Sequence, residues 1–360
     1  MVQINKIILK NYRNFSSFET KFHSKCNILI GKNGVGKTNI LESLSLIGKG
    51  RGFRNDNISN LIKNKEENFL IQAEFEKENN LYDLKIFSKF INKKHHKISS
   101  LNDDISPSSK DFIYSNFSYL LFVPDMERLF QASPSFRRNF FDKLIFSVNK
   151  NYNKIINSYK KNINERSLIL KNFKYDEMWV DNIEKNISNL GLTIYELRQI
   201  EIKLLNSQIK RLNQYYKFPF DVKFEISDSE YSFEFGHEKY LQKLKLNRNY
   251  DSKFGGSRLG PHKSDFKIII NDSFEASQLS TGQQKTLVIM ILLAQCDHMV
   301  HEKNIKPILL LDELCSHLDD TNRRLLLKLS TQFDLQVFLS GNERSLFSFI
   351  STNSNFCNIT

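Results

Sequence analysis

Alternating and continuous apolar runs predict strands near both ends of the chain. Residues 4–9 alternate apolar and polar side chains, which is typical of a strand buried on one face. Residues 26–30 are apolar except for Asn27 and indicate a short strand buried on both faces. Residues 69–75 and 81–87 flank a polar turn and predict a β-hairpin. Further strands are expected at 97–101, 119–123, 221–227, 231–235, 267–270, 308–311 and 336–339.

Residues 134–216 predict a helical region between these groups of strands. Within it, residues 152–170 and 183–204 carry apolar side chains at alternating spacings of four and three, interrupted by Arg166 and Glu201. This pattern is typical of two antiparallel helices packed along a narrow seam, each spanning about 20 residues or about 30 Å. An ordinary helical subdomain gives the same pattern without a projecting arm, and both interpretations stay open.

A glycine-rich segment at residues 31–38, Gly-Lys-Asn-Gly-Val-Gly-Lys-Thr, fits the pattern G-x-x-x-x-G-K-[ST] of a phosphate-binding loop. Its glycines allow a tight turn that brings backbone N–H groups close to phosphate oxygens. Lys37 is expected to reach the β- and γ-phosphates, and the Thr38 hydroxyl to bind Mg²⁺. A helix predicted at 38–47 would direct its N-terminus at the anion. The predicted nucleotide-binding residues of this segment are Gly31, Lys32, Asn33, Gly34, Val35, Gly36, Lys37, Thr38 and Asn39.

An apolar strand that ends in two carboxylates predicts the second part of the same site. Asp312 follows the run 308–311 and is expected to support Mg²⁺, as in phosphate-loop ATPases. Glu313 comes next and is placed to orient or deprotonate the attacking water. The predicted catalytic residues are therefore Lys37, Asp312 and Glu313, and the predicted metal ligands are Thr38 and Asp312.

A third segment, residues 279–285, reads Leu-Ser-Thr-Gly-Gln-Gln-Lys and precedes a helix predicted at 286–298. Ser280 is a good N-cap, Gly282 lets the backbone approach a ligand closely, and the helix dipole favours an anion. A capped helix without a ligand would give the same pattern. However, the segment lies roughly 30 residues before the Asp-Glu strand, which is the spacing of the signature sequence in ABC-type ATPases.

The composition indicates a folded protein with a polyanionic partner. A chain of 360 residues that is 40% hydrophobic can bury a full core, as one large domain with an insertion or as two domains. The net charge of +12 favours nucleic acid or an anionic membrane surface, although a compositional bias of the genome would give the same charge.

A membrane-spanning segment, a zinc site and a disulfide framework are not expected. The four cysteines form no C-x-x-C pair, which argues against a zinc site or a disulfide framework. The N-terminus lacks a signal-peptide core, and the longest apolar run, 287–294, is too short to span a bilayer. We therefore expect a cytoplasmic protein without a membrane partner.

Two basic segments stand out, and the second is a candidate for contact with nucleic acid. Residues 48–54 contain three glycines and three cations and predict a flexible loop, and residues 93–97 read Lys-Lys-His-His-Lys between two predicted strands. Most runs of the second kind are solvated hairpin tips, and a contact with nucleic acid is the open alternative. Two adjacent histidines without carboxylate or cysteine neighbours are weak evidence for a metal site.

Several further motifs occur in order along the chain. Residues 279–283 resemble the LSGGQ signature of ABC-type ATPases, with Thr281 replacing the first glycine, and residues 316–319 resemble their D-loop. The narrower resemblance is carried by NYRNF at 11–15, GKNGVGKTNILE at 31–42, GRGFR at 50–54, RRNFFD at 137–142, GPHKSD at 260–265, LSTGQQK at 279–285 and the segment 309–319. Together these motifs resemble those of the RecF family, bacterial recombination mediators that are related to the heads of SMC and Rad50 proteins.

This resemblance implies an α/β fold, an ABC-type P-loop ATPase head similar to those of SMC and Rad50 proteins, with an inserted α-helical arm subdomain. Residues 1–130 and 220–360 would form the head, with a β lobe near 65–105, and residues 131–219 would form the arm.

The resemblance also implies a function. RecF-like proteins dimerise on ATP, bind double-stranded DNA near single-strand gaps, and with RecR and RecO help to load RecA; they hydrolyse ATP slowly, stimulated by DNA. In such a dimer, Ser280, Gly282 and Gln283 would contact the γ-phosphate of the ATP held by the other subunit. The basic surface would contact DNA phosphates, which gives salt-sensitive and largely sequence-independent affinity.

Three features depart from the family pattern. Many RecF-like chains have Asp-Asp where this chain has Asp312 and Glu313, so the geometry of the base could differ. Ser340 and Gly341 follow the strand at 336–339, without the histidine that ABC transporters place there, which leaves γ-phosphate sensing weaker or reassigned. Residues 90–118 carry few recognisable matches.

Two alternatives to a DNA-repair ATPase differ in class. An ABC transporter subunit would share both nucleotide motifs, but the helical insertion, the missing histidine and the positive charge argue against it. A nucleotide-gated DNA-binding module with negligible hydrolysis is the other alternative. The presence of Glu313 argues that hydrolysis is possible, and the sequence does not determine its rate.

Overall fold

The computed structural model describes residues 2–172, 175–228, 236–314, 319–350 and 354–360. Outside these ranges lie the strand expected at 231–235, Cys315, and all of the D-loop-like segment 316–319 except Asp319. The contacts divide the chain into two compact units, Met1–Glu127 with Lys285–Thr360, and Arg128–Gln284. The division expected from the sequence, with boundaries at residues 130 and 219, places residues 220–284 in the head, whereas the contacts place them in the second unit. The expected division stays a prediction.

The helices and strands follow in chain order. The first unit begins with β1 Val2–Tyr12, β2 Phe15–Lys21, β3 Cys26–Ile30, α1 Lys37–Ser45, β4 Leu70–Lys77, β5 Asn80–Ile91, β6 Lys94–Leu101, α2 Pro107–Asn116 and β7 Tyr119–Phe122. The second unit contains α3 Pro134–Val148, α4 Tyr152–Leu170, α5 Glu177–Tyr216, β8 Val222–Ser227, α6 His237–Leu246, α7 Arg248–Phe254, β9 Asp265–Ile270 and β10 Phe274–Glu275. Next come α8 Thr281–Asp297, β11 Ile308–Leu311, α9 Asp320–Thr331, β12 Val337–Gly341 and β13 Ser354–Asn358.

Two five-stranded sheets share one hydrophobic core with α1 in the first unit. The antiparallel sheet has the strand order β2-β1-β4-β5-β6, and β4 and β5 form the hairpin expected from the sequence. The other sheet is parallel, with the order β13-β3-β12-β11-β7. Strand β11 is buried throughout, which explains its unbroken apolar sequence. Ile40, Leu41 and Leu44 of α1 belong to the same core as residues of both sheets.

The second unit combines helices with a small antiparallel sheet of order β10-β9-β8. Two of its ion pairs involve the RRNFFD and GPHKSD motifs. Arg137 donates two hydrogen bonds to Asp265, at 2.9 and 2.6 Å. Arg198 of α5 donates two to Asp142, both at 2.9 Å, and a third to the Ser264 hydroxyl at 2.9 Å. These two motifs therefore stabilise the second unit internally.

Helices α4 and α5 run antiparallel, as the apolar spacing predicted. Arg166 near the end of α4 pairs with Glu184, whereas Tyr152 at its start contacts Arg198. Helix α5, however, has 40 residues, or about 60 Å, so the expected length of about 20 residues is wrong for this helix. Helix α5 is longer than expected because it continues past its contact with α4 and packs on β8.

The two polar residues that interrupt the apolar spacing are buried. Arg166 donates hydrogen bonds to Glu184 at 2.9 Å, to Asp251 at 2.6 Å and to the Leu244 carbonyl at 2.8 Å. Glu201 is 4% exposed, and its Oε1 has no hydrogen-bond partner among the described residues. Burial raises the pKa of Glu201 to about 8, so its carboxyl group is protonated at neutral pH.

No described helix is long and apolar enough to cross a membrane. The part of the chain that the structure describes also holds no cluster of three or more histidine, cysteine, aspartate or glutamate side chains arranged for a metal ion. Cys26, Cys296 and Cys357 are buried thiols.

Candidate nucleotide-binding site

The glycine-rich loop joins β3 to α1 in the way the sequence predicted. Gly36 is the N-cap of α1 and has φ of 109°, a left-handed conformation that favours glycine. A Cβ atom at Gly36 would also lie 2.5 Å from the Phe15 ring and 2.8 Å from the Asn14 side chain. The NYRNF motif therefore packs against the loop and requires glycine at this position.

Lys37 lies at the first position of α1 and is 4% exposed. Its ammonium group donates hydrogen bonds to the carbonyl of Gly31 at 2.6 Å, the carbonyl of Lys32 at 2.9 Å and the side-chain Oδ1 of Asn342 at 3.0 Å. Burial lowers the pKa of Lys37, and the carboxylates of Glu313 and Asp312 partly oppose this effect. The two carboxylates therefore lie within electrostatic reach of the loop lysine.

Asp312 and Glu313 follow β11, and Ser340 of the neighbouring strand β12 contacts both of them. The Ser340 hydroxyl donates to Asp312 Oδ1 at 2.6 Å and accepts from the Glu313 backbone N–H at 2.9 Å. Asp312 is 2% exposed, and Glu313 has a left-handed backbone with φ of 51°. Parallel strands β3, β12 and β11 are adjacent, so their carboxyl ends bring Lys37, Ser340 and Asp312 to one edge of the sheet.

Asn39 and Asn14 form a small amide network beside the loop. Asn14 donates to the Val35 carbonyl at 3.0 Å and accepts from Asn39 at 2.8 Å. Arg54 donates to Asn39 Oδ1 at 2.9 Å. The side chain of Asn39, predicted to bind nucleotide, is therefore engaged with protein groups, and Thr38 before it is half-buried in the first turn of α1.

The position of Lys97 differs from the simplest interpretation of the basic run 93–97, which was a solvated hairpin tip. The run does cover a hairpin tip, because Ile91 of β5 and Lys94 of β6 are the pair next to the turn. Lys97, however, lies further along β6 and is not a solvated tip residue. Its Nζ donates to the carbonyls of Leu46, Gly48 and Gly50, at 2.9, 3.2 and 2.8 Å. The hairpin thus anchors the basic loop that follows α1, a contact that no sequence pattern indicated.

The signature-like segment belongs to the second unit, where its residues form a helix cap. The Ser280 hydroxyl accepts from the Gln283 backbone N–H at 3.3 Å, and Gln283 Oε1 accepts from the Ser280 backbone N–H at 3.0 Å. This reciprocal capping box starts α8 at Thr281, five residues before the start predicted at 286. Gly282 is exposed, and a Cβ atom there would meet nothing within 4 Å.

Sequence reasoning did not single out Asn342 and Asn14 as parts of the site, and it noted Ser340 only for the histidine missing beside it. Each is a short polar side chain that gains its role from strands or turns distant in sequence. The strand end 340–342 was the available signal, because polar residues at the carboxyl end of a parallel strand lie where ligands bind in such sheets.

Comparisons with known proteins show the family to which this chain belongs. A family model described as "RecF/RecN/SMC N terminal domain" matches residues 3–357. The DNA replication and repair protein RecF of Clostridioides difficile (strain 630) is 31% identical over 96% of this chain and 92% of its own length. The chain belongs to the RecF family. The RecF protein of Rickettsia canadensis (strain McKiel) is 30% identical over 97% of both chains.

Solved RecF structures also match nearly the whole chain. A structure described as the recombination mediator protein RecF with ATPrS, in the RecFOR pathway, has a TM-score of 0.84 at 25% identity and covers 97% of this chain and 94% of its own. An SMC head domain from Pyrococcus furiosus, with a TM-score of 0.52 at 16% identity, covers 97% of this chain and 92% of its own and shares the fold alone. The predicted family and fold class are confirmed.

Proposed function

We propose that this RecF family member is an ATP-dependent DNA-binding clamp of DNA replication and repair. The observation that carries the proposal is the convergence of a phosphate-binding loop, a buried lysine and the pair Asp312–Glu313 at one edge of a parallel sheet. Matching RecF structures are described with ATP and with ATPrS, which supports the same nucleotide here.

In this proposal the loop residues 31–39 hold the phosphates of ATP, and Lys37 neutralises the β- and γ-phosphates. Thr38 and Asp312 would hold Mg²⁺ through hydroxyl and carboxylate oxygens, the donors that this ion prefers, and the ion would supply positive charge that stabilises the phosphates during hydrolysis. Asp312 Oδ1 accepts from Ser340, which orients the carboxylate and leaves its second oxygen for the metal or its water. Glu313 orients or deprotonates the attacking water.

The proposed active form is an ATP-dependent homodimer. Ser280, Gly282 and Gln283 of one subunit would contact the γ-phosphate of the ATP held by the other subunit. The exposure of Ser280 and Gly282, together with the start of a helix, supports this role because a helix N-terminus favours an anion. Slow hydrolysis, stimulated by DNA, would reopen the clamp.

The proposed partners are double-stranded and gapped DNA, and the RecR, RecO and RecA proteins of the same cytoplasmic repair process. The net charge of +12 supports a DNA partner. Exposed cations near the first-unit loop and hairpin, Lys49, Arg51, Arg54, Lys93 and Lys94, supply part of that charge.

Fluorescence anisotropy of labelled duplex, single-stranded and gapped DNA tests this function. The protein is titrated with ATP, with ADP and without nucleotide, across a salt series. We expect tight binding of duplex or gapped DNA that requires ATP and weakens with salt. DNA binding of equal strength with and without nucleotide would indicate a basic surface that attracts DNA, not a clamp that ATP closes. No DNA binding near physiological salt would favour the transporter alternative.

A further inference from the structure

The ammonium group of Lys37 already has a full set of acceptors. A lysine carries three N–H donors, and the structure gives Lys37 Nζ three acceptors, the carbonyls of Gly31 and Lys32 and Oδ1 of Asn342. A phosphate oxygen that binds Lys37 must therefore displace at least one of these partners.

The three acceptors differ in how easily they can leave. The carbonyls of Gly31 and Lys32 belong to the loop backbone, and Gly31 is fixed further because its N–H donates to the Gly341 carbonyl at 3.3 Å. A Cβ at Gly31 would lie 2.5 Å from the Ile359 carbonyl, so the backbone there is closely packed. Asn342 is exposed, and its amide can leave by side-chain rotation alone. Asn342 is the displaceable partner.

Asn342 also directly follows the strand that contacts the other predicted catalytic residues. Ser340, two residues earlier, donates to Asp312 and accepts from the Glu313 backbone. The segment 340–342 thus touches all three predicted catalytic residues. Only Gly341 separates Asn342, which contacts Lys37, from Ser340, which contacts the carboxylate pair.

We propose that Asn342 is the residue that distinguishes ATP from ADP in this site. Without nucleotide, its Oδ1 occupies one donor of Lys37. When a γ-phosphate arrives, Lys37 turns that donor to the phosphate, and the Asn342 side chain rotates so that its Nδ2–H donates to a γ-phosphate oxygen. ADP has no γ-phosphate to accept this bond. The inference rests on the proposed ATP-binding function and assigns γ-phosphate sensing, which the histidine-free strand end had left unassigned.

Isothermal titration calorimetry with ATP and with ADP tests the inference, with hydrolysis suppressed by Glu313→Gln in every protein compared. We expect Asn342→Ala to lower the ratio of ATP to ADP affinity about tenfold, the effect of losing a hydrogen bond to a charged group. ADP affinity should stay equal or rise slightly, because Lys37 loses a competing acceptor. Asn342→Asp should weaken ATP more than ADP, since its carboxylate holds Lys37 and repels the γ-phosphate.

Ser345→Ala, an exposed change three residues further on, is the matched control and should leave the ratio unchanged. A structural role of Asn342 alone would change both affinities or the thermal midpoint together, so an unchanged ratio in Asn342→Ala overturns the inference. If the parent protein binds neither nucleotide, the proposed function itself fails. The two failures are therefore distinguishable.

Discussion

Arg13 holds the carboxylate of Glu42 through two parallel hydrogen bonds, from Nη2 to Oε1 at 2.7 Å and from Nε to Oε2 at 2.9 Å. Glu42 is fully buried on α1, and the Tyr12 hydroxyl donates to the same Oε2 at 3.0 Å. The pair ties the turn between β1 and β2 to the helix that follows the phosphate-binding loop. The NYRNF motif therefore has a structural role, because it anchors the helix whose N-terminus carries Lys37.

Arg13→Lys should destabilise the protein although it keeps the charge. An ammonium group cannot replace the planar two-point contact, and Glu42 would remain buried with incomplete pairing. We expect a loss of about 3 kcal/mol in the free energy of unfolding, measured by urea denaturation. In a double-mutant cycle with Glu42→Gln, the two changes should cost clearly less together than their sum, and additive costs would contradict the pair.

The strands of the site were predictable because their signal is local. A short apolar run such as that of β11 favours a strand buried on both faces, and the loop pattern between β3 and α1 depends on adjacent residues. Arg166 and Glu201 were predicted only as interruptions of a helical seam. Their burial depends on partners or neighbours that lie far away in sequence, such as Asp251, which no helical spacing reveals.

Contacts between distant segments explain the other differences. Helix α5 is twice as long as its seam with α4, since Asn206 beyond that seam bonds the backbone of Phe224 in β8 at 2.9 and 2.7 Å. Asn342 approaches Lys37 only because β12 lies next to β3 in the sheet. Strand order is a global property, so the sequence indicated the motif residues of the site and not the side chains that connect them.

Lys97→Met should release the basic loop after α1. The change removes three hydrogen bonds from an ammonium group to backbone carbonyls and leaves an uncharged, unbranched side chain that is one atom shorter. We expect trypsin to cleave after Arg51 or Arg54 about tenfold faster or more, since each charge-assisted bond contributes roughly 1.5–3 kcal/mol. Peptide mapping of the digest measures this rate. Lys94→Met, a change at an exposed residue of the same strand, is the control, and equal rates for the two variants would contradict the anchoring role.

Ser280→Arg should leave ATP binding intact and block the proposed dimer, because a long cation at the exposed start of α8 obstructs the approach of a second subunit. Lys37→Ala should instead abolish ATP binding. Sedimentation velocity with ATP measures the first effect and calorimetry the second. Since Ser280→Arg also removes a helix cap that contributes about 1 kcal/mol, Ser280→Ala serves as the control that loses the cap without adding bulk. A Ser280→Arg protein that dimerises normally with ATP would show that this residue has no role across the subunits.

Glu201→Gln should change how stability depends on pH. In the unfolded chain the Glu201 carboxyl loses its proton near its ordinary pKa of 4.5, whereas burial raises the folded pKa to about 8. The folded state therefore binds more protons between these values, and its stability falls as the pH rises from about 4.5 to 8. Glutamine stays neutral throughout, so the variant should match the parent near pH 4 and exceed it by on the order of 3–5 kcal/mol above pH 8. Urea denaturation at a series of pH values measures the difference, and Glu196→Gln, an exposed change on the same helix, controls for the altered net charge. Parallel profiles for parent and Glu201→Gln would mean that Glu201 is ionised in the folded protein.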